Sequence, residues 1–295
     1  MKRADFIKSS ALVTAAAMLP TPGISQSRQN NNVESPVNKN PLKIGVMTYT
    51  IAKDWDIETI IKNLSEAEYQ AVELRTTHAH KVETDLSSAQ REEVKKRFRN
   101  SPLESISLAS GFQYHSPDKN ELKKNIDGTK EYIKLAKDVG AAGIRVFGNE
   151  LPAGVPEEKT MMQIGKALAE VGEYGYNNGV EVRICVHGNK TNKPSVIKKI
   201  IDYSASPHVW VNWNCNPEDT EENGFEANFN LLKDRIKGVH MHELWMADYP
   251  YRRLFKLLSD IGYKGYCNAE IDGNPDPVRF LKYYRALFLA YQNAI

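Results

Sequence analysis

Between residues 43 and 294 the chain is written as eight short apolar runs, each followed by a segment with helical spacing. Such alternation with short links implies parallel strands, because each link carries the chain back over the sheet in a right-handed crossover. Eight units in about 250 residues predict a single-domain α/β fold, a closed (β/α)8 barrel. A doubly wound open sheet is the competing architecture. It normally carries a glycine-rich phosphate loop after its first strand, and Thr48-Tyr-Thr-Ile-Ala is not one. The strands are expected at Lys43–Tyr49, Ala71–Arg75, Leu103–Ala109, Gly143–Phe147, Val180–Val186, Val209–Trp213, Gly238–His242 and Tyr266–Ile271. Helices fill the gaps, one of them near Phe229–Arg235 and the last over Pro277–Ala294.

Polar residues gather where the late strands end. The runs finish in Cys185-Val-His187-Gly, Asn212-Trp-Asn214-Cys-Asn216, His240-Met-His242-Glu243 and Asn268-Ala-Glu270-Ile-Asp272. Alternate strand residues share a face. Cys185 with His187, Asn212 with Asn214 and Asn216, His240 with His242, and Glu270 with Asp272 are therefore expected on common faces. In a barrel they would converge at the C-terminal mouth, where such barrels keep their chemistry. A carboxylate there is costly unless paired or bound to a cation, which singles out Glu270. Glu73 and Arg75 share a face on the second strand, either to bind a polar substrate or as a buried ion pair. His242 and Asn216 are candidate substrate contacts. Asp272, His78, His80 and Glu150 fall on mouth loops or strand ends, where solvated side chains are common. Trp245 and Tyr249 offer aromatic stacking faces, whereas packing suits Trp210 and Trp213.

The chain begins with a basic stretch holding Lys2, Arg3 and Lys8, then the apolar run Ala11–Leu19, then Pro20 and Pro22. This reads as a signal peptide of about 25 residues, too short to span a bilayer. Arg3-Ala4-Asp5-Phe6 resembles a twin-arginine export motif with Ala4 at the second arginine position. Export to the periplasm or beyond is the expected outcome. Residues 26–41, rich in asparagine and proline, read as a disordered tether to a barrel over 42–295. No later segment has the apolarity of a membrane span, so no stable membrane insertion is expected after processing.

The net charge of +2 arises in the leader, and the remainder balances 36 basic against 36 acidic residues. That neutrality argues against a nucleic-acid partner. Three cysteines, Cys185, Cys215 and Cys267, have no regular spacing and read as buried small side chains rather than a disulfide framework.

With these anchors the chain resembles the xylose-isomerase-like barrel superfamily of sugar isomerases, sugar epimerases (the sugar phosphate isomerase/epimerase group), inosose dehydratases and endonuclease IV. The matching residues are Ala71-Val-Glu73-Leu, Val186-His187-Gly188, Val239-His240-Met-His242-Glu243 and Ala269-Glu270 after Gly262-Tyr-Lys-Gly265. In that family a divalent metal is held by Glu, Asp, His and Glu on strands five to eight. His240 and Glu270 match the last two. Cys185 stands at the strand-five Glu, Asn214 at the strand-six Asp, and Pro217 at a usual His. The resemblance thus implies a metal site of His240, Glu270 and His187 with Asn214, or with Cys185 nearby. Among zinc, cobalt, nickel, iron and manganese, the first four suit those donors better than a carboxylate-built manganese or magnesium site.

The implied chemistry is proton abstraction beside a carbonyl of a small carbohydrate, with Glu270 and His187 as the catalytic pair. Loss of the strand-five Glu breaks the family's symmetric pair of bases, which favours isomerisation or β-elimination on a keto-glycoside over symmetric epimerisation. A catalytically inactive carbohydrate-binding barrel is the alternative of another class. An endonuclease-IV-like nuclease would need many more His and acidic ligands and a basic groove. Self-association stays open.

Overall fold

The computed structural model describes residues 37–295. The expected leader and most of the expected tether lie outside the described residues. From Asn38 onward the chain is tied to the segment just after the last helix: the Asn38 N–H donates to Asn293 O at 2.7 Å, and the Leu42 N–H to Gln292 Oε1 at 2.8 Å.

Eight parallel strands close into a barrel in chain order: β1 Lys43–Met47, β2 Ala71–Arg75, β3 Ser105–Gln113, β4 Gly143–Glu150, β5 Glu181–Asn189, β6 Val209–Trp213, β7 Ile236–Met241 and β8 Tyr266–Ala269. The seam is the parallel pairing of Lys43–Val46 with Tyr266–Ala269, which removes the open-sheet alternative. The strands are buried on both faces, so their outward Val, Ile and Leu read as nearly continuous apolar runs.

Eight helices cover the barrel: α1 Ile57–Glu66, α2 Ser88–Arg99, α3 Lys119–Val139, α4 Glu157–Asn177, α5 Pro194–Ser204, α6 Phe225–Leu232, α7 Tyr251–Asp260 and α8 Pro277–Ala290. Four of them, α1, α2, α3 and α8, start at a residue whose side chain caps the first turn. Asp56 accepts from the Thr59 N–H, and Ser87 and Gln90 form a reciprocal capping box. On α7 the buried residues Tyr251, Leu254, Phe255 and Leu258 repeat at helical spacing, and Phe255 meets Phe288 of α8 edge-on at 4.9 Å. Among the described residues, no helix is long and apolar enough to cross a membrane.

Boundaries move where local chemistry competes with the apolar pattern. β3 starts two residues later than expected, after Pro102, and runs on to Gln113 past a register shift. β8 stops at Ala269, yet the Glu270 N–H still donates to Met241 O at 2.8 Å, so Glu270 leaves the strand in strand-like register. α6 begins at Phe225, and Lys233–Arg235 is a separate 3-10 turn. A second 3-10 turn, Pro217–Thr220, was not expected.

At two strand positions a glycine leaves room for a neighbouring asparagine side chain. A Cβ on Gly45 would collide with Asn268 Oδ1, and one on Gly238 with Asn212 Oδ1. Each asparagine lies over its register partner on the neighbouring strand.

Candidate active site

The centre of the site is His240, inward on β7 and 1 % exposed. Its Nε2 stands 2.8 Å from Glu73 Oε1, across the barrel on β2. Glu73 is equally buried, and its Oε2 accepts from Ser107 Oγ of β3 at 3.0 Å. On the other side, His240 Nδ1 is 3.2 Å from Asn214 Oδ1 and 3.2 Å from Glu270 Oε2. Cys185 Sγ of β5 lies 3.6 Å from Asn214 Oδ1 and accepts from Asn212 Nδ2 at 3.5 Å.

These charges support one another. Burial opposes the charged form of Glu73, but His240, then Arg145 and Arg183, outweigh it and hold the carboxyl at about 2. Glu270 is likewise held at about 2 against burial, by His240, His242 and Arg145. Burial alone would lower His240, yet the carboxylates of Glu73 and Glu270 together raise it well above its ordinary value. Arg145 of β4 is buried beneath this group. Its Nη1 donates to Ser110 O at 3.0 Å, its guanidinium lies 4.0 Å from the Phe147 ring centre, and its Nε has no partner.

The sequence-derived candidates separate into two levels. Glu73, His240, Asn214 and Glu270 come together at depth, with Cys185. His187, two residues beyond Cys185 on β5, is exposed at the mouth, with its ring against Phe147 at 5.1 Å. Its ring makes no hydrogen bond to the deep group. Burial and then Arg145 lower its pKa, so the imidazole is neutral near pH 7. Asn216 Nδ2 donates to Val186 O and its Oδ1 accepts from Asn214 Nδ2, so it positions Asn214. His242 is held above the site through its backbone, which Tyr251 and Tyr284 hydroxyls bind at 3.0 and 2.7 Å.

Glu73 does not pair with Arg75 and does not face open space, because His240 and Ser107 take both its oxygens. Arg75 lies instead by His78, with Nη1 3.1 Å from His78 Nε2, while Thr48 Oγ1 is 3.0 Å from the other ring nitrogen. Burial first and Arg75 second push His78 down to about 4. His80 is locked between Arg75 O and the Val82 N–H. Trp213 packs on Phe225 and Phe229, Trp210 lies beneath the Lys237 ammonium, and Trp245 is 71 % exposed on the loop after β7. Tyr249, expected as a stacking face, is buried.

Sequence reading missed Arg145, Ser107 and Asp219. The first had a signal: Gly143-Ile-Arg145-Val-Phe147 alternates, and an arginine sits on the inward face. Asp219 lies on the 3-10 turn after β6 with no exposure. Its Oδ2 accepts from Tyr249 Oη at 2.7 Å and from the Asn216 N–H at 3.0 Å, Trp213 Nε1 donates to Tyr249 Oη at 2.8 Å, and Oδ1 has no partner. Burial raises Asp219 to about 8.

A carboxyl raised in the folded state favours folding most at low pH. That contribution is lost as pH climbs from about 4 through about 8, by no more than about 1.4 kcal/mol per pH unit. Asp219→Asn should flatten this slope and stabilise the protein by about 1–2 kcal/mol near pH 8, its unpaired amide hydrogens offsetting part of the gain. Melting temperatures across that range test this, and an unchanged slope in the variant contradicts it.

The model of the family described as "Xylose isomerase-like TIM barrel" matches residues 61–284. The chain belongs to that family. Among solved structures, an L-ribulose 3-epimerase shares the fold at 18% identity and a TM-score of 0.72, covering 85% of this chain and 95% of its own. A 3-keto-D-glucoside 4-epimerase from E. coli follows at 15% and 0.70, covering 84% and 99%. A D-psicose 3-epimerase from Clostridium cellulolyticum H10, solved with D-tagatose, stands at 14% and 0.66, covering 86% and 96%. No curated protein matches the chain in sequence.

Whether a family-type cation suits this barrel depends on the donors. Among the described residues, no three His, Cys, Asp or Glu side chains form a ready metal-ligand group. The inward donors close up only when the amide oxygen of Asn214 is counted. It stands within 3.6 Å of both Cys185 Sγ and His240 Nδ1, and Glu270 flanks His240. With Glu73 fixing the far ring nitrogen of His240, as outer carboxylates do behind metal-bound histidines, this donor set fits a divalent ion.

Proposed function

We propose that the protein is a sugar isomerase/epimerase that works outside the cytoplasm and moves a proton at the carbon beside a carbonyl of a small neutral carbohydrate. One observation carries the reading. A buried Glu73–His240 pair meets Asn214 and Glu270 at the C-terminal end of a barrel of this family, where barrel enzymes keep their chemistry. Epimerases of ribulose, psicose and a keto-glucoside share the fold and support the substrate class. The leader read from the sequence supports the location.

Asn214, His240 and Glu270 would hold the divalent ion, which when bound draws electron density from the substrate carbonyl and acidifies the neighbouring C–H. Glu270, held in its charged form, can orient the substrate by accepting from one of its hydroxyls. Its low pKa makes it a weak base. His187, neutral and at the mouth, is the stronger proton acceptor at neutral pH. Arg145 beneath the site supplies positive potential against developing negative charge. Trp245 offers an exposed face for a sugar ring. The two proton-handling groups differ in kind, which suits one-sided transfer, as in an aldose–ketose isomerisation.

The test is proton exchange. The protein is incubated in heavy water with neutral ketoses and 3-keto-glycosides. Deuterium should enter beside the carbonyl, with an isomeric sugar as product. An unsaturated product would assign the same proton abstraction to β-elimination. Sugar binding without exchange on any of them would make this a binding barrel and overturn the enzyme reading.

A further inference from the structure

We propose that Cys185 is a direct ligand of the cation site, and that its sulfur makes the site select a thiophilic divalent ion, zinc foremost, over magnesium. The inference rests on the site just proposed for catalysis, but not on any activity.

The amide chain determines which atoms face the site. Val186 O can only accept, so the Asn216 atom it meets at 2.5 Å is the nitrogen. Asn216 Oδ1 therefore faces Asn214 and takes its nitrogen at 3.0 Å. The oxygen of Asn214 is left pointing inward, 3.2 Å from His240 Nδ1 and 3.6 Å from Cys185 Sγ. His240 gives its Nε2 side to Glu73. Nδ1 then faces Asn214 Oδ1 and Glu270 Oε2, with the Cys185 sulfur beyond the amide oxygen. Electron-rich atoms crowd like this only around a proton or a cation.

Spacing separates the two. A proton between imidazole and carboxylate draws them to about 2.7–2.9 Å, as on the Glu73 side at 2.8 Å. Both contacts at Nδ1 are longer, at 3.2 Å. Nitrogen and oxygen ligands of a tetrahedral zinc stand roughly 3.4 Å apart, and sulfur stands roughly 3.6 Å from oxygen because its bond is longer. The Sγ–Oδ1 separation is 3.6 Å. Asn212 Nδ2 donates to the sulfur from behind at 3.5 Å.

The set differs from the one expected from sequence at one place, with Cys185 replacing His187. Cys185 pairs in register with Asn212 and lies at the depth of the cluster. His187 is one step nearer solvent on the same face.

Cobalt(II) tests this without substrate. The full chain, stripped with chelator and titrated with cobalt, should develop a near-ultraviolet thiolate-to-cobalt charge-transfer band that saturates at one ion per chain. Cys185→Ser should lose the band and bind zinc at least about 10²-fold more weakly. Cys215→Ser should keep the band. Cys185→Glu should shift preference from zinc toward manganese. If Cys185→Ser does not fold, cadmium NMR of the loaded wild type reports sulfur ligation directly. Cobalt bound without the band, a cadmium resonance of the oxygen-and-nitrogen type, or a folded chain that takes up no ion each overturns the inference. Proton exchange without the band would leave the proposed activity standing and remove only Cys185. The band without exchange would do the reverse.

Discussion

Replacing Glu270 by Gln is expected to lower turnover by about 10²-fold or more while the barrel stays folded. Gln keeps the size and one acceptor oxygen. It removes the negative charge that helps hold His240 and that His240 and Arg145 favour. It also removes an anionic donor from the cation site, so metal content should fall with activity. His187→Gln is expected to lower turnover within the same range and leave metal content unchanged, because the His187 ring contacts none of the proposed donors. Asp272→Asn is the control. Asp272 is exposed and takes a hydrogen bond from Thr50 Oγ1 at 3.0 Å, remote from the deep group. Its loss should change turnover little. Steady-state rates with metal analysis on the three variants decide the matter. Wild-type turnover in Glu270→Gln would place the active site elsewhere.

The barrel was legible because its strands are buried on both faces and its helices on one, two patterns that sequence spacing reports directly. The site was legible in part, for a geometric reason. Strand parity says which face a side chain takes, so His240, Asn214 and Glu270 were placed inward correctly. Parity is silent on depth. Cys185 and His187 share a face, yet one is buried against Asn214 and the other sits at the mouth. Parity is also silent on partners across the barrel. β2 and β7 are not neighbours, and Glu73 meets His240 only through the stagger of the closed sheet. Sequence therefore offered Arg75, two residues away, as the natural partner. Asp219 was hidden for another reason. Its burial depends on a short 3-10 turn and on Tyr249, which is remote in sequence.

The Glu73 pairing carries the largest expected effect on stability. Glu73→Ala should cost about 3–5 kcal/mol, the range for removing one partner of a buried charged pair. It strands the His240 Nε2–H and the Ser107 hydroxyl, and it leaves Arg145 and Arg183 without the carboxylate that their charges favour. Glu73→Gln should cost less, about 1–2 kcal/mol. Its amide oxygen can still accept from His240, its nitrogen can donate to Ser107, and only the charge is lost. A double-mutant cycle separates the two partners that the sequence left open. Glu73→Ala with His240→Ala should show a coupling of about 1–3 kcal/mol, and Glu73→Ala with Arg75→Ala a coupling below about 0.5 kcal/mol. Urea unfolding of these variants gives all of the quantities. A loss under about 1 kcal/mol for Glu73→Ala, or a stronger coupling to Arg75 than to His240, would mean that the charge beneath His240 is not what holds this centre together.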